Sequence, residues 1–132
     1  MTEEVLEIIK RYKKEFKETT GMTLECTVVI PDKLVKCMLD TVCRVYDTTS
    51  EELEKVNKNL APSRTRQMLT LLSDHYGLTI HQWSSMLKRD RTSYYTALSK
   101  AESVFNNSKK YREEFFSLKE EFQKDWSKIK AL

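Results

Sequence analysis

Residues 79–105 read TIHQWSSMLKRDRTSYYTALSKAESVF, and the spacing of their apolar side chains decides the fold. Ile80, Trp83, Met86 and Leu87 recur at three- and four-residue steps, the period at which one helix face turns toward a core. Thr79 stands directly before them, where a hydroxyl can accept from the first free backbone N–H groups. After Lys88-Arg89-Asp90 the same period resumes with Tyr94, Ala97, Leu98, Ala101, Val104 and Phe105. Two helices joined by so short a turn have the helix-turn-helix layout. Setting the second helix on its apolar side leaves Arg91, Thr92, Ser93, Tyr95, Thr96, Ser99 and Lys100 outside, and residues 91–100 contain no acidic side chain.

The segments on either side of this pair read as further helices. Residues 62–76 place Met68, Leu71, Leu72 and Tyr76 on one stripe before Gly77, with Arg64 and Arg66 in the first turns. Cations at a helix start oppose the macrodipole, a small penalty that an anionic partner would offset. Pro31 suits the first turn of a helix whose Leu34, Val35, Met38, Leu39, Val42, Val45 and Tyr46 cover most of its circumference, which predicts the central buried helix. Thr49 and Glu52 have the spacing of a capping box for a short helix carrying Leu53 and Val56, and residues 57–61 read as a loop.

At the front of the chain, Val5, Ile8, Ile9, Tyr12 and Phe16 mark an amphipathic helix over residues 2–19, ended by Gly21. Met22, Leu24, Cys26, Val28 and Ile30 then alternate with polar residues, so this stretch reads as an extended, packed connector. In the last helix, residues 109–130, Tyr111, Phe115, Leu118, Phe122, Trp126 and Ile129 form another stripe. That stripe either packs on the core or pairs with the first helix, within one chain or across a homodimer. The expected architecture is an all-α multi-helix bundle, with residues 1–30 as a helix and connector and residues 31–132 as the helix-turn-helix domain.

Composition agrees with this reading. Two Gly and two Pro beside 33% charged residues suit helices joined by short turns, and 132 residues are enough for one modest core. No stretch approaches the ~18 apolar residues of a membrane span, and Met1-Thr2-Glu3-Glu4 lacks the order of a signal peptide, so a cytoplasmic location is expected. Cys26, Cys37 and Cys43 sit among apolar residues and read as reduced thiols within the core. With His75 and His81 on helix flanks, no metal site is assigned. Neither a Gly-rich phosphate loop nor a nucleophile or paired-carboxylate constellation is present, so the expectation is a non-enzyme that takes no nucleotide and no cofactor.

The net charge of +3 is unevenly distributed. Residues 62–110 hold eight basic side chains (Arg64, Arg66, Lys88, Arg89, Arg91, Lys100, Lys109, Lys110) against three acidic ones (Asp74, Asp90, Glu102), an excess of five, while the rest of the chain is at minus two. A basic stripe beside a hydroxyl-rich helix face is the footprint of a protein that grips duplex DNA. The helix N-terminus would meet base edges and the flanking Lys88, Arg89 and Lys100 would hold phosphates. The competing reading is a helical protein-interaction adaptor, with the terminal helices as its contact surface.

Several runs carry a family resemblance from about Pro31 to Phe122. They are Val45-Tyr46 at the end of a buried helix, Thr49-Ser50-Glu51-Glu52-Leu53, Arg66-Gln67-Met68 after a basic loop, Arg89-Asp90-Arg91-Thr92-Ser93, and Tyr111-Arg112-Glu113-Glu114-Phe115. Together they resemble the C-terminal DNA-binding domain of the bacterial chromosomal replication initiator DnaA, a Trp-repressor-like helical fold whose signature is Arg-Asp-His-Thr-Thr. The resemblance implies that Asp90, Arg91, Thr92 and Ser93 meet bases or phosphates in the major groove, that Lys100 lies one turn further in, and that Arg64 and Arg66 reach the minor groove and the backbone. Thr96 shares the same outer face. Arg91 stands where the signature has His, the turn before Arg89 is shorter and lacks glycines, and Tyr94 replaces a smaller aliphatic residue. The ATPase module of an initiator is missing from this sequence, which suggests a free-standing module that regulates replication or transcription.

Overall fold

Short polar side chains set where the helices of this chain begin. A computed structural model describes residues 3–55 and 60–130, and the described residues form seven α-helices. These are α1 Glu3–Thr20, α2 Asp32–Val45, α3 Ser50–Glu54, α4 Leu60–Tyr76, α5 Ile80–Leu87, α6 Arg91–Asn107 and α7 Lys109–Ile129. Thr49, Thr79, Asp90 and Ser108 each precede a helix and accept from the backbone N–H three residues on, at 3.3, 3.1, 2.8 and 3.2 Å. Each bond satisfies a donor that the helix itself cannot. At Thr79 the capping box is complete, because the Gln82 amide oxygen accepts from the Thr79 N–H at 3.0 Å. At Thr49 only half of it forms, since the Glu52 carboxylate turns to Lys55 at 2.8 Å.

The hub of the molecule is α4, which packs against α2, α3, α6 and α7. This corrects the expectation that α2 is the central helix. Met68, Leu69 and Leu72 of α4 are completely buried, and so are Thr70 and Ser73. The hydroxyls of Thr70 and Ser73 donate to the carbonyls of Arg66 and Leu69 one turn back, at 2.6 and 2.7 Å, so they enter the core already satisfied. Thr70 Oγ1 also accepts from Trp83 Nε1 at 3.1 Å, which fixes α5 to α4 through a buried bond. This helix is found by the apolar periodicity, which understates its burial because Thr70 and Ser73 add hydroxyls to the buried face. It also starts at Leu60, two residues before the expected Pro62; proline is tolerated in a first turn, where the N–H it lacks has no intrahelical acceptor. The expected positions of Val56 and residues 57–59 lie outside the described residues.

Along one side, α2 and α7 pack together. Met38, Val42 and Phe122 are fully buried and Leu118 nearly so, each worth roughly 1.5–3 kcal/mol in removed apolar surface. Beside them the Thr41 hydroxyl donates to Asp125 Oδ2 at 2.7 Å, and Arg44 bridges Asp125 and Glu121, each at 3.0 Å. Tyr111, Phe115, Leu118 and Phe122 are therefore spent on the core, with Trp126 and Ile129 packed at its margin, and the α7 stripe is not free to pair elsewhere. Pro31 serves as the N-cap of α2, with Leu34 N–H donating to its carbonyl at 3.0 Å.

Several expectations about burial are revised. None of the described residues of α1 is buried. The connector before α2 is irregular and mostly exposed, with only Leu24 and Ile30 half-buried, because it has no strand to pair with. Its end is tied down where Gln82 Nε2 donates to the Ile30 carbonyl at 2.9 Å. Cys26 is accordingly exposed rather than packed, whereas Cys37 is buried and Cys43 half-buried, and all three thiols are free. Val45 and Val104, at or near helix ends, are also exposed. Among the described residues no helix is long and apolar enough to cross a membrane.

Candidate nucleic-acid interface

The connection from α5 to α6 is built by backbone geometry first. Lys88 closes α5 in the left-handed region, at φ 51° and ψ 47°, a conformation more usual for glycine or asparagine at a helix end. It turns the chain so that Arg89 N–H donates back to the Ser84 carbonyl at 3.2 Å. Asp90 then caps α6. The bonds it accepts from the Ser93 backbone N–H and hydroxyl hold its carboxyl below the usual carboxylate range. The Asp90 charge is thus turned inward on the helix start rather than outward, which offsets part of its repulsion toward an incoming anion.

Two arginines converge beside this turn. Arg89 Nη2 donates to the Lys55 carbonyl at 2.6 Å, and Arg66 Nη1 makes long contacts of 3.4 and 3.5 Å to the Leu53 and Lys55 carbonyls. Both guanidiniums sit at the C-terminal end of α3, whose last carbonyls lack intrahelical donors and carry the negative end of the helix dipole. Arg66 is only 8% exposed, and burial, followed by the neighbouring Arg89 charge, pushes its value below that of an ordinary guanidinium. The Lys88 ammonium lies 3.6 Å from Glu54 on the same helix.

Above these side chains runs a groove of about 430 Å³ between the start of α4 and the start of α6. Ser63, Arg66 and Gln67 form its α4 wall, and Arg89 and Asp90 form its end. Thr92, Ser93, Thr96, Ala97 and Lys100 form the α6 wall. Seven of the ten residues singled out in the sequence therefore meet in one place. Arg91, exposed, lines a separate recess with Ile80, His81 and Ser84 around the same helix start. Lys88 borders neither recess and is exposed on the turn.

Arg64 lies elsewhere. Its guanidinium is paired with Glu114 on α7 and stacked over the Tyr111 ring, 5.6 Å from the centroid. Glu114 also accepts from the Tyr46 hydroxyl at 2.8 Å, so α2, α4 and α7 meet in one polar cluster. Ser63 and Gln67 are groove residues that the sequence reading did not select. They stand four apart, one turn, on the face of α4 that also carries Arg66. That spacing is visible in the sequence, but only the packing of α4 against α6 gives it meaning.

The rest of α6 is held by aromatic packing. Tyr94 meets the Trp83 ring edge-on at 5.2 Å, and its hydroxyl donates to Asp74 Oδ1 at 3.3 Å. Burial, reinforced by Asp74, pushes the Tyr94 phenol up to about 12. The bulk of Tyr94 is thereby accommodated between α5 and α4, and the α6 face opposite it is left to Thr92, Thr96 and Ser99. Among the described residues, no group of three or more His, Cys, Asp or Glu side chains is placed to hold a metal ion. No protein-family model, curated protein or solved structure matches this chain.

Proposed function

We propose that this chain binds double-stranded DNA, with α5, the Lys88–Asp90 turn and α6 acting as a helix-turn-helix and the N-terminal half of α6 entering the major groove. The observation that carries the reading is the character of the surface where α6 begins. Arg91, Thr92, Thr96, Ser99 and Lys100 are exposed there, Arg66 and Arg89 flank them, and the nearest carboxylate, Asp90, is occupied as a cap. Hydroxyls and arginine suit base edges, and the flanking cations suit phosphates. The likeness of Arg89-Asp90-Arg91-Thr92-Ser93 to the initiator signature supports the same assignment, as does the excess of five positive charges over residues 62–110. On this reading Arg91, Thr92 and Ser93 read bases, Lys100 and Lys88 hold phosphates, and Arg66 and Arg89 build the floor on which the backbone rests. The role is regulation of replication or transcription rather than catalysis.

The direct test is a fluorescence-anisotropy titration with a labelled random-sequence duplex at stepped salt concentrations. Binding at low salt, with log affinity falling linearly against log salt, is the expected outcome. No binding at any salt, or equal affinity for an uncharged control, would overturn the proposal in favour of a protein-interaction adaptor.

A further inference from the structure

The first half of α6 carries one large apolar side chain in the open, and the fold holds it there. Tyr94 and Ala101 are buried and mark the core side of the helix. At about 100° per residue, Tyr95, Ser99, Thr92 and Thr96 fall within an arc of about 100° on the opposite side, and all four are exposed. Tyr95 itself is 54% exposed. Its ring meets Tyr94 edge-on at 5.5 Å, Tyr94 meets Trp83 at 5.2 Å, and the Trp83 indole N–H is bonded to Thr70. The outer ring is therefore backed by a row of aromatics anchored in the core. A tyrosine held in this way offers a rigid contact with little conformational entropy left to lose on binding.

Base-edge chemistry says what such a face can read. Residues 91–100 contain no Asn or Gln, the side chains that pair bidentately with adenine, and no Asp or Glu to accept from cytosine. The nearest carboxylate, Asp90, is spent on the cap. What the arc presents instead is the Tyr95 ring, the methyl-bearing Thr92 and Thr96, and hydroxyls that suit any base. Among the groups that base pairs expose in the major groove, the thymine C5-methyl is the apolar one. We propose that Tyr95, flanked by Thr92 and Thr96, packs on thymine methyl groups in the major groove, so that the chain selects thymine-rich duplex DNA through an apolar contact. The assignment rests on the duplex-binding reading and adds to it the class of base that α6 reads beyond Arg91.

Uracil differs from thymine only by the missing methyl and leaves the charge and pairing of a duplex unchanged, so it isolates this contact. Fluorescence anisotropy on the full chain should compare a labelled duplex of alternating adenine and thymine with the same duplex carrying uracil for thymine, at one low salt concentration. One methyl removed from water is worth about fourfold in affinity, so the thymine duplex should bind roughly threefold or more tightly than the uracil duplex. Tyr95→Ala should bring the two affinities within a factor of about two, because most of the apolar contact is gone. Thr92→Ser/Thr96→Ser, which removes only methyl groups, should narrow the gap in the same direction. Tyr95→Phe should keep the full preference, which a role for the phenolic hydroxyl on a phosphate would not allow. Circular dichroism checks that each variant keeps its helix content. Equal affinity of the wild type for the two duplexes, or a Tyr95→Ala variant with undiminished preference, would overturn the proposal while leaving duplex binding in place. A chain that binds neither duplex would overturn both.

Discussion

The Arg64 guanidinium is paired with the Glu114 carboxylate, which joins the start of α4 to α7 outside the groove beside α6. A cation so engaged is a structural residue first. Arg64→Ala should lower stability by about 1 kcal/mol, the sum of a partly exposed ion pair and a cation–π contact, and Glu114→Ala should do the same. The double variant should cost less than the two singles together, because they share one interaction. Urea unfolding of the three variants measures this. Duplex affinity should change little in Arg64→Ala, which separates its role from that of Lys100.

The buried bond from Trp83 Nε1 to Thr70 Oγ1 makes a sharper case. Thr70→Val keeps the shape of the side chain but leaves the indole N–H without an acceptor in a dry site, at a cost of about 1–3 kcal/mol. Urea unfolding followed by circular dichroism reports the lowered midpoint. An unchanged midpoint would mean that α5 is not anchored to α4 as described.

Stability should fall at both ends of the pH range. The Thr41 hydroxyl, and after it Arg44, hold Asp125 below the usual carboxylate value. Because its folded value is depressed, this contribution is present above the ordinary value and is lost as pH falls through the folded one. Tyr94 and Tyr111 are raised from 10.0 to about 12, chiefly by burial, so their contribution is present below pH 10 and is lost as pH rises toward 12. Melting temperatures across pH should decline in both windows. Asp125→Asn should flatten the acid limb, and Tyr94→Phe should flatten part of the alkaline one.

Two alanines on α6 separate fold from surface. Ala101 is fully buried, and Ala101→Glu should prevent folding by placing an unpaired charge in the core. Ala97 is half-buried on the groove wall. Ala97→Glu should therefore fold, as seen by circular dichroism, yet weaken duplex binding at least tenfold by setting a carboxylate among the cations.

Much of this was legible in the sequence wherever a local rule decides the structure. Thr79 before a three-four apolar period gives α5, because capping needs only neighbours in the chain, and the return of that period after Asp90 gives α6, although the sequence reading set Asp90 among the DNA contacts and not as the cap. The outward face at Arg91, Thr92, Thr96 and Lys100 follows from the phase of Tyr94 and Ala101. What stayed hidden depends on contacts between distant segments. The hub role of α4 rests on Thr70 and Ser73, whose polarity disguises their burial. The different surroundings of Arg64 and Arg66, two residues apart, follow from Glu114 lying on one side of α4 and the end of α3 on the other. The stripe of α1, half-buried at Val5, Ile9 and Phe16 and exposed at Ile8 and Tyr12, reads in the sequence just as the buried stripe of α7 does.

The measurement closest to the central claim is duplex affinity of the Arg91→Ala/Lys100→Ala variant. Both side chains are exposed on α6, and among the described residues neither makes a side-chain hydrogen bond or ion pair, so circular dichroism and melting should match the wild type. The expected result is a loss of at least tenfold in affinity at low salt, with a salt dependence shallower by one to two units as roughly one phosphate contact per residue is removed. An intact variant that binds duplex DNA as tightly as the wild type, with the same salt dependence, would contradict the assignment of α6 as the DNA-reading helix.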